Sequence, residues 1–213
     1  MEITWIGKCL FRPFLPFGNR GFHRWAEDCS LRPKLTLDAS AMGHTGSNMK
    51  PALLVQDIQN VWLDGNQELR RSVERRLDVI NETIAWFRRN KLPIIVGYTE
   101  DKEQGLLPGT KSFEVPKTVR IEETDLKVTK RHASAFGNPE FGAMLRKEGC
   151  DTLVIVGLSA SGCVLATYFS ALDWDVRPYL IQGGVASHNE EHVRFAEEIC
   201  DTLSVQALDQ LVR

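Results

Sequence analysis

Short apolar runs and longer amphipathic segments alternate along the chain from residue 51 onward. The apolar runs predict strands at residues 52–55, 92–99, 119–129, 152–158, 176–182 and 203–207. Segments whose apolar residues recur every three or four positions predict helices at 67–90, 139–148, 162–173 and 189–199, before a short C-terminal helix. About six strands alternating with helices predict an α/β fold of three layers, a parallel sheet with helices on both faces.

Two segments indicate where a functional site should lie in such a fold. The run TLVIVGL at residues 152–158 is apolar and rich in β-branched residues, which is typical of a strand buried on both faces. Residues 101–118 contain two glycines and two prolines and predict a long loop, of a length that is usually functional or mobile. Because ligands bind at the carboxyl ends of parallel strands, polar residues at those ends are the first candidates for chemistry.

Residues 1–48 do not share this pattern. They carry six Lys/Arg against four Asp/Glu, whereas the rest of the chain carries 20 against 24. Prolines in residues 11–18 exclude a helix there, and the small polar residues 41–48 are typical of a linker. We therefore expect an irregular N-terminal extension over 1–48 and a folded domain over 49–213. A bolder hypothesis is that Met49 is the natural start.

Composition narrows the class of protein. Of 213 residues, 43% are hydrophobic and 25% charged, and the net charge is −2, which is typical of a globular protein and not of a disordered one. The near-neutral charge predicts no nucleic-acid partner, and no apolar run is long enough to predict a membrane span. Five cysteines without a C-x-x-C pair argue against a disulfide framework and a zinc ribbon. With no secretory signal pattern, a reduced, cytoplasmic protein is expected.

Three polar residues follow predicted strands closely enough to meet at one edge of the sheet. Asp57 and Lys130 come just past two apolar runs, and Cys163 starts the helix predicted after residues 152–158. A thiol at a helix N-terminus is expected to have a lowered pKa, and the free N–H groups there can hold an oxyanion. Each residue also has an ordinary interpretation: a buried core cysteine, a helix-capping aspartate and a solvated lysine.

Two near-motifs are rejected. Residues 157–161 (GLSAS) almost match the G-x-S-x-G turn of serine hydrolases, but the fifth residue is serine and no suitable Asp and His follow. Residues 188–192 (HNEEH) formally match H-x-x-E-H, a zinc signature. Too little chain remains after it for the usual distant third ligand. These histidines are interpreted as exposed residues at a helix N-terminus.

The sequence resembles the isochorismatase-like cysteine hydrolases in three blocks, in the family's order. The blocks are PALLVQDIQN at 51–60, KRHASAF at 130–136 and VGLSASGCVLAT at 156–167. The resemblance runs from about Met49 to the C-terminus and does not include residues 1–48. It implies an Asp57–Lys130–Cys163 triad that hydrolyses amides through a thioester. It also implies a cis peptide bond at Leu158–Ser159, with the N–H groups of Ser159 and Cys163 facing the oxyanion.

The resemblance also bears on metal and substrate. Nicotinamidases in the family bind a metal through Asp-x-His and a further His, but here residues 98–103 read YTEDKE and no histidine lies between His44 and His132. We therefore expect no metal and no other cofactor. True isochorismatases lack the cysteine and cleave a vinyl ether. The run SGCVLAT is more similar to N-carbamoylsarcosine amidase and ureidoacrylate hydrolase, which implies a small amide or ureido substrate.

Further expectations concern the pocket and the assembly. The residues expected to bind substrate are Gln59, Trp62, Phe113 and Phe136, although each aromatic ring could equally belong to the core. Arg131 is a weaker candidate for clamping a substrate carboxylate. The family implies a homo-oligomer, either a dimer or a tetramer. The main alternatives are a catalytically idle family member that serves as a binding or scaffold module, and a peroxide-sensing thiol protein, for which no resolving cysteine lies near.

Overall fold

The computed structural model describes residues 49–212; the predicted extension at 1–48 lies outside them. Six strands form one sheet in the order β3-β2-β1-β4-β5-β6, and every neighbouring pair is parallel. The strands are β1 Pro51–Gln56, β2 Ile94–Thr99, β3 Leu126–Lys130, β4 Thr152–Leu158, β5 Arg177–Ala186 and β6 Thr202–Leu203. The helices are α1 Asn60–Asp64, α2 Gln67–Arg89, α3 Pro139–Glu148, α4 Leu165–Asp173 and α5 Glu190–Ile199. The predicted parallel α/β architecture is confirmed.

Alternating side chains of the central strands supply two hydrophobic cores, one on each face of the sheet. In β1, Leu53 and Val55 pack in one core, while Ala52 and Leu54 pack in the other. The first core is covered by α2 and the C-terminal 3₁₀ turn Val205–Gln210, and the second by α3, α4 and α5. A strand buried on both faces must be apolar throughout, which explains the sequences of β1 and β4.

The helix α2 shows how local sequence sets an element and its packing. Its 23 residues begin after Asn66, whose side chain accepts a hydrogen bond from Leu69 N, and end with Arg88 and Arg89 in the last turn. A cap at the first turn and cations at the last both favour the helix. Within residues 49–212, no helix is both long and apolar enough to cross a membrane.

The strand predicted at 176–182 extends to Ala186, and two other predicted strands are too long. The one predicted at 119–129 starts only at Leu126, because side chains of α2 hold the preceding backbone: Asn81 bonds Thr118 O and Arg120 N, and Arg88 bonds Arg120 O. The one predicted at 203–207 stops at Leu203, because Ser204 caps a 3₁₀ turn by accepting from Ala207 N. Neither side-chain contact can be read from hydrophobic periodicity.

The strand order reverses between β1 and β4. From β1 the chain adds β2 and β3 on one side, and from β4 it adds β5 and β6 on the other. The connections that leave β1 and β4 therefore diverge to opposite sides, and in open α/β sheets ligands bind at the carboxyl edge beside such a point. Asp57 immediately follows β1, and Cys163 follows β4 in a π-helical turn at Ala160–Val164.

Candidate active site

Asp57, Lys130 and Cys163 converge at this edge of the sheet. Lys130 Nζ lies 2.8 Å from Asp57 Oδ2 and 3.4 Å from Cys163 Sγ. The carboxylate and the ammonium are buried, whereas Cys163 is partly exposed. A thiol that solvent can reach thus lies against an ion pair that solvent cannot reach.

The ammonium of Lys130 is saturated with partners. Besides Asp57, it donates to Thr99 Oγ1 at 2.9 Å and to the backbone oxygen of His132 at 3.1 Å. An ammonium has three hydrogens, and these three oxygens account for them. Cys163 Sγ, at 3.4 Å, is a fourth acceptor that shares these hydrogens, and both this hydrogen bond and the charge of Lys130 favour a negative charge on sulfur.

Thr99 is a member of the site that sequence reasoning missed. Its hydroxyl donates to Asp57 Oδ1 at 3.0 Å and accepts from Lys130, so it bridges the two charged groups. Gln59 holds Thr99 in turn: its amide nitrogen donates to Thr99 O at 3.0 Å, and its amide oxygen accepts from Thr99 N at 2.8 Å. The available signal was that Thr99, like Asp57 and Lys130, stands at the carboxyl end of an apolar strand.

The backbone at the end of β1 turns Asp57 toward the sheet edge. Asp57 has φ 55°, in the left-handed region, and its N–H donates to Gly97 O of β2 at 3.0 Å. On the other side of β1, a Cβ at Gly157 would lie 2.2 Å from Gln56 O. Glycine at 157 therefore lets β4 approach β1 closely where the site forms.

Cys163 is carried by an irregular turn. The peptide bond between Leu158 and Ser159 is cis, and Gly162 has φ −119° and ψ −106° within the π-helical turn. The backbone oxygen of Ser159 accepts from Gly162 N at 2.9 Å and from Val164 N at 3.2 Å. Ser159 and Cys163, which the resemblance implies as oxyanion donors, thus belong to the same hydrogen-bonded turn.

The thiol pKa of Cys163 is shifted opposite to the sequence-based prediction. Burial raises its pKa above the ordinary value of 9.0, the charge of Asp57 raises it further, and Lys130 opposes the change. The expected lowering at a helix N-terminus is wrong because the sulfur is desolvated beside a carboxylate. In the resting site the thiol is therefore protonated at neutral pH, with Asp57 placed to receive the proton.

Of the four side chains predicted to bind substrate, three are buried and one is only partly buried. Gln59 is 0% exposed and both ends of its amide are used by Thr99, so its prediction as a substrate contact is corrected to a positioning role. Phe113 stacks on Tyr98 and Phe136 packs edge to face on Phe141, and both rings are buried. Trp62 is only partly buried and packs against the hydrophobic core.

The isochorismatase domain family matches residues 51–203 of this chain. The chain belongs to the isochorismatase family. As a family member it is a hydrolase, which confirms the predicted family and class of activity. The match covers all three blocks on which the resemblance rested.

Relatives in the family carry several names. The chain is 28% identical over 157 residues to a probable isochorismatase from Pseudomonas chlororaphis, covering 67% of this chain and 74% of that protein. It is 28% identical over 163 residues to the phenazine biosynthesis protein PhzD of Pseudomonas fluorescens, covering 70% and 77%.

Solved structures agree with the fold. An isochorismatase-like hydrolase from Alkaliphilus metalliredigens superposes with TM-score 0.70 at 22% identity, covering 80% of this chain and 100% of that one. The N-carbamoylsarcosine amidase of Thermoplasma acidophilum gives TM-score 0.62 at 25% identity, covering 74% and 97%. The three-layer architecture is therefore that of the family.

The stretch where some relatives were expected to hold a metal carries ion pairs in this family member. Glu100 lies 3.5 Å from Arg131 and 4.0 Å from Lys102. Arg131, the weaker candidate for a substrate carboxylate, thus already faces a carboxylate. Across residues 49–212, no three His, Cys, Asp or Glu side chains are grouped as a metal site, and His188 and His192 pack ring to ring.

Proposed function

We propose that this family member is a cysteine amidohydrolase that cleaves a C–N bond of a small amide or ureido compound. The observation that supports it is the convergence of Cys163, Asp57 and Lys130, with the ammonium 2.8 Å from the carboxylate and 3.4 Å from the sulfur. A nucleophile, a base and a fixed positive charge are the groups that acyl transfer through a thioester requires.

The first half of the reaction forms the thioester. The Cys163 proton passes to Asp57 as sulfur attacks the substrate carbonyl, and the carbonyl oxygen becomes an oxyanion held by the N–H groups of Ser159 and Cys163. The oxyanion collapses, the C–N bond breaks, and the departing nitrogen takes the proton from Asp57. The raised pKa of the thiol supports this order, since the proton leaves sulfur only during attack.

The second half releases the acid. Asp57, again a carboxylate, removes a proton from water, which attacks the thioester carbonyl, and the expelled sulfur recovers that proton. Lys130 stabilises in turn the carboxylate of Asp57 and the developing thiolate of Cys163. Thr99 keeps the Asp57 carboxylate oriented in both halves.

A second candidate is hydrolysis of isochorismate, favoured by the name of the Pseudomonas chlororaphis relative. Vinyl ether cleavage needs no thiol nucleophile, so the position of Cys163 against Lys130 supports the amidohydrolase instead. A third candidate is a catalytically idle binding module. In such a protein the contact between the thiol and the buried ion pair would have no function.

A hydrolysis screen tests the proposal. The panel contains ureido acids, carbamoyl amino acids and simple amides read by ammonia release, with isochorismate read in parallel. We expect ammonia release from at least one amide or ureido compound by the wild type and none by Cys163→Ala. Turnover of isochorismate alone, at the same rate in both proteins, would replace the proposal with the second candidate. Folded protein without any turnover would favour the binding module.

A further inference from the structure

His192 contacts the turn that carries Cys163. Its Nδ1 lies 3.1 Å from the hydroxyl oxygen of Ser161, two residues before the thiol, and 3.4 Å from the hydroxyl oxygen of Ser187 at the end of β5. The ring therefore joins the nucleophile's turn to the helix α5 and to the sheet edge. The mechanism above makes no use of this contact.

The first turn of α5 is itself fixed to α2. Glu190 lies 2.5 Å from Arg75 and 2.6 Å from Arg76, and these hydrogen-bonded arginines lower the pKa of Glu190 to about 2. Ser72 donates to Glu190 at 3.3 Å and accepts from Ser187 N at 3.3 Å. His192 thus projects from a helix end that is held on several sides, as a positioning group must be.

The turn has reason to need such support. Ser161 and Gly162 are exposed, and Gly162 departs from helical dihedral angles next to the nucleophile. The hydrogen bond of Lys130 to Cys163, at 3.4 Å, also reaches the turn, but it belongs to the reacting centre. A second tie outside that centre keeps the thiol in its attacking position while the charges around it change.

We propose that His192 is a positioning residue for the nucleophile, acting through the hydroxyl of Ser161 on the turn that holds Cys163. This inference rests on the proposed function, since it assigns a task in amide hydrolysis by Cys163. The required group is the Nδ1 position of the ring. Asparagine carries a polar atom at the matching place, whereas leucine has a similar size and none.

The experiment compares His192→Leu, His192→Asn, Ser161→Ala and the Leu/Ala double variant, with Ser170→Ala on α4 as a serine control, on an amide from the screen. We expect kcat to fall roughly tenfold to a hundredfold in His192→Leu, and by a similar factor in Ser161→Ala, with KM little changed. His192→Asn should recover most of kcat. The double variant should be no worse than His192→Leu alone, because that substitution already removes the contact with Ser161.

The outcomes separate this inference from the proposed function. Wild-type kcat in Ser161→Ala would overturn the role of the contact. Because Ser161 is exposed, a loss of kcat in this variant would not result from misfolding. Multiplied losses in the double variant, or no recovery in His192→Asn, would also overturn it. If amide hydrolysis instead survives in Cys163→Ala, the proposed function fails first, whatever His192 does.

Discussion

Lys130 and Asp57 form an ion pair of 2.8 Å whose side chains are only 1% and 2% exposed. Burying two charges is costly, and the cost is offset only when each charge is fully paired. Thr99, the His132 backbone oxygen and the Cys163 sulfur complete the shell around Lys130. A buried ion pair of this kind contributes little net stability. We therefore infer that its main effect is electrostatic and acts on the Cys163 thiol.

Removing one member of that pair should destabilise the fold and also lower the activity. Lys130→Met leaves Asp57 buried without its cation, and we expect a loss of about 3–5 kcal/mol in the free energy of unfolding, measured with urea. Arg71→Ala breaks an exposed ion pair at 2.9 Å and should cost less than about 1 kcal/mol. Equal losses in the two variants would contradict the buried-pair account.

The bridging hydroxyl of Thr99 should matter separately from its shape. Thr99→Val keeps the side-chain volume but leaves Asp57 Oδ1 without a donor, so we expect a loss of about 1–3 kcal/mol in stability and a lower kcat. Thr99→Ser retains the hydroxyl and should keep most of the activity. Urea unfolding and steady-state kinetics on both variants provide the test, and a fully active Thr99→Val would remove Thr99 from the site.

The ionisation of Cys163 should respond to Asp57 in a defined direction. Because its pKa lies above the ordinary 9.0, iodoacetamide should alkylate it slowly at pH 7 and faster as the pH rises through 9. Asp57→Asn removes a negative charge that raises this pKa while Lys130 remains, so the rate profile should move to lower pH. Peptide mapping separates Cys163 from Cys150 and Cys200, whose pKa values burial raises to about 11 and about 12. A profile unmoved by Asp57→Asn would contradict the electrostatic coupling.

Glu190 should make the fold sensitive to acid. Its pKa falls from 4.5 to about 2, so its ion pairs contribute stability that is complete above pH 4.5 and lost as the pH falls toward 2. Glu190→Gln should therefore be less stable than the wild type at pH 7, by a modest amount because the side chain is half exposed. The two unfolding curves should converge near pH 2, and a constant difference across that range would contradict the assignment.

Much of the site could be predicted from the sequence because parallel strands bring their carboxyl ends together. Asp57 and Cys163 follow recognisable apolar strands, Lys130 is the last residue of β3, and the turn from β4 into a helix is visible in the run of small residues 157–163. The same rule placed the candidate site at the carboxyl edge of the sheet without knowledge of any side-chain contact.

The parts that could not be predicted depend on contacts between distant segments. Thr99 looks like an ordinary strand residue until β2 lies beside both β1 and β3, where its hydroxyl meets two charges. Gln59 suggested a pocket contact until its amide was found paired with the backbone of Thr99. The pKa of Cys163 is raised and not lowered as predicted, because the burial of a thiol cannot be read from its position in the chain.

The central claim is that Cys163 is the nucleophile. Its most direct test is the mass of the Cys163 peptide from enzyme quenched during turnover. Wild-type enzyme mixed with an active amide from the screen, quenched in acid within milliseconds and digested, should yield the Cys163 peptide heavier by the acyl group, through a thioester that hydroxylamine removes. Cys163→Ala should show neither the adduct nor ammonia release. Ammonia release by the wild type and by Cys163→Ala at equal rates, with no adduct on either, would contradict the claim that Cys163 is the nucleophile.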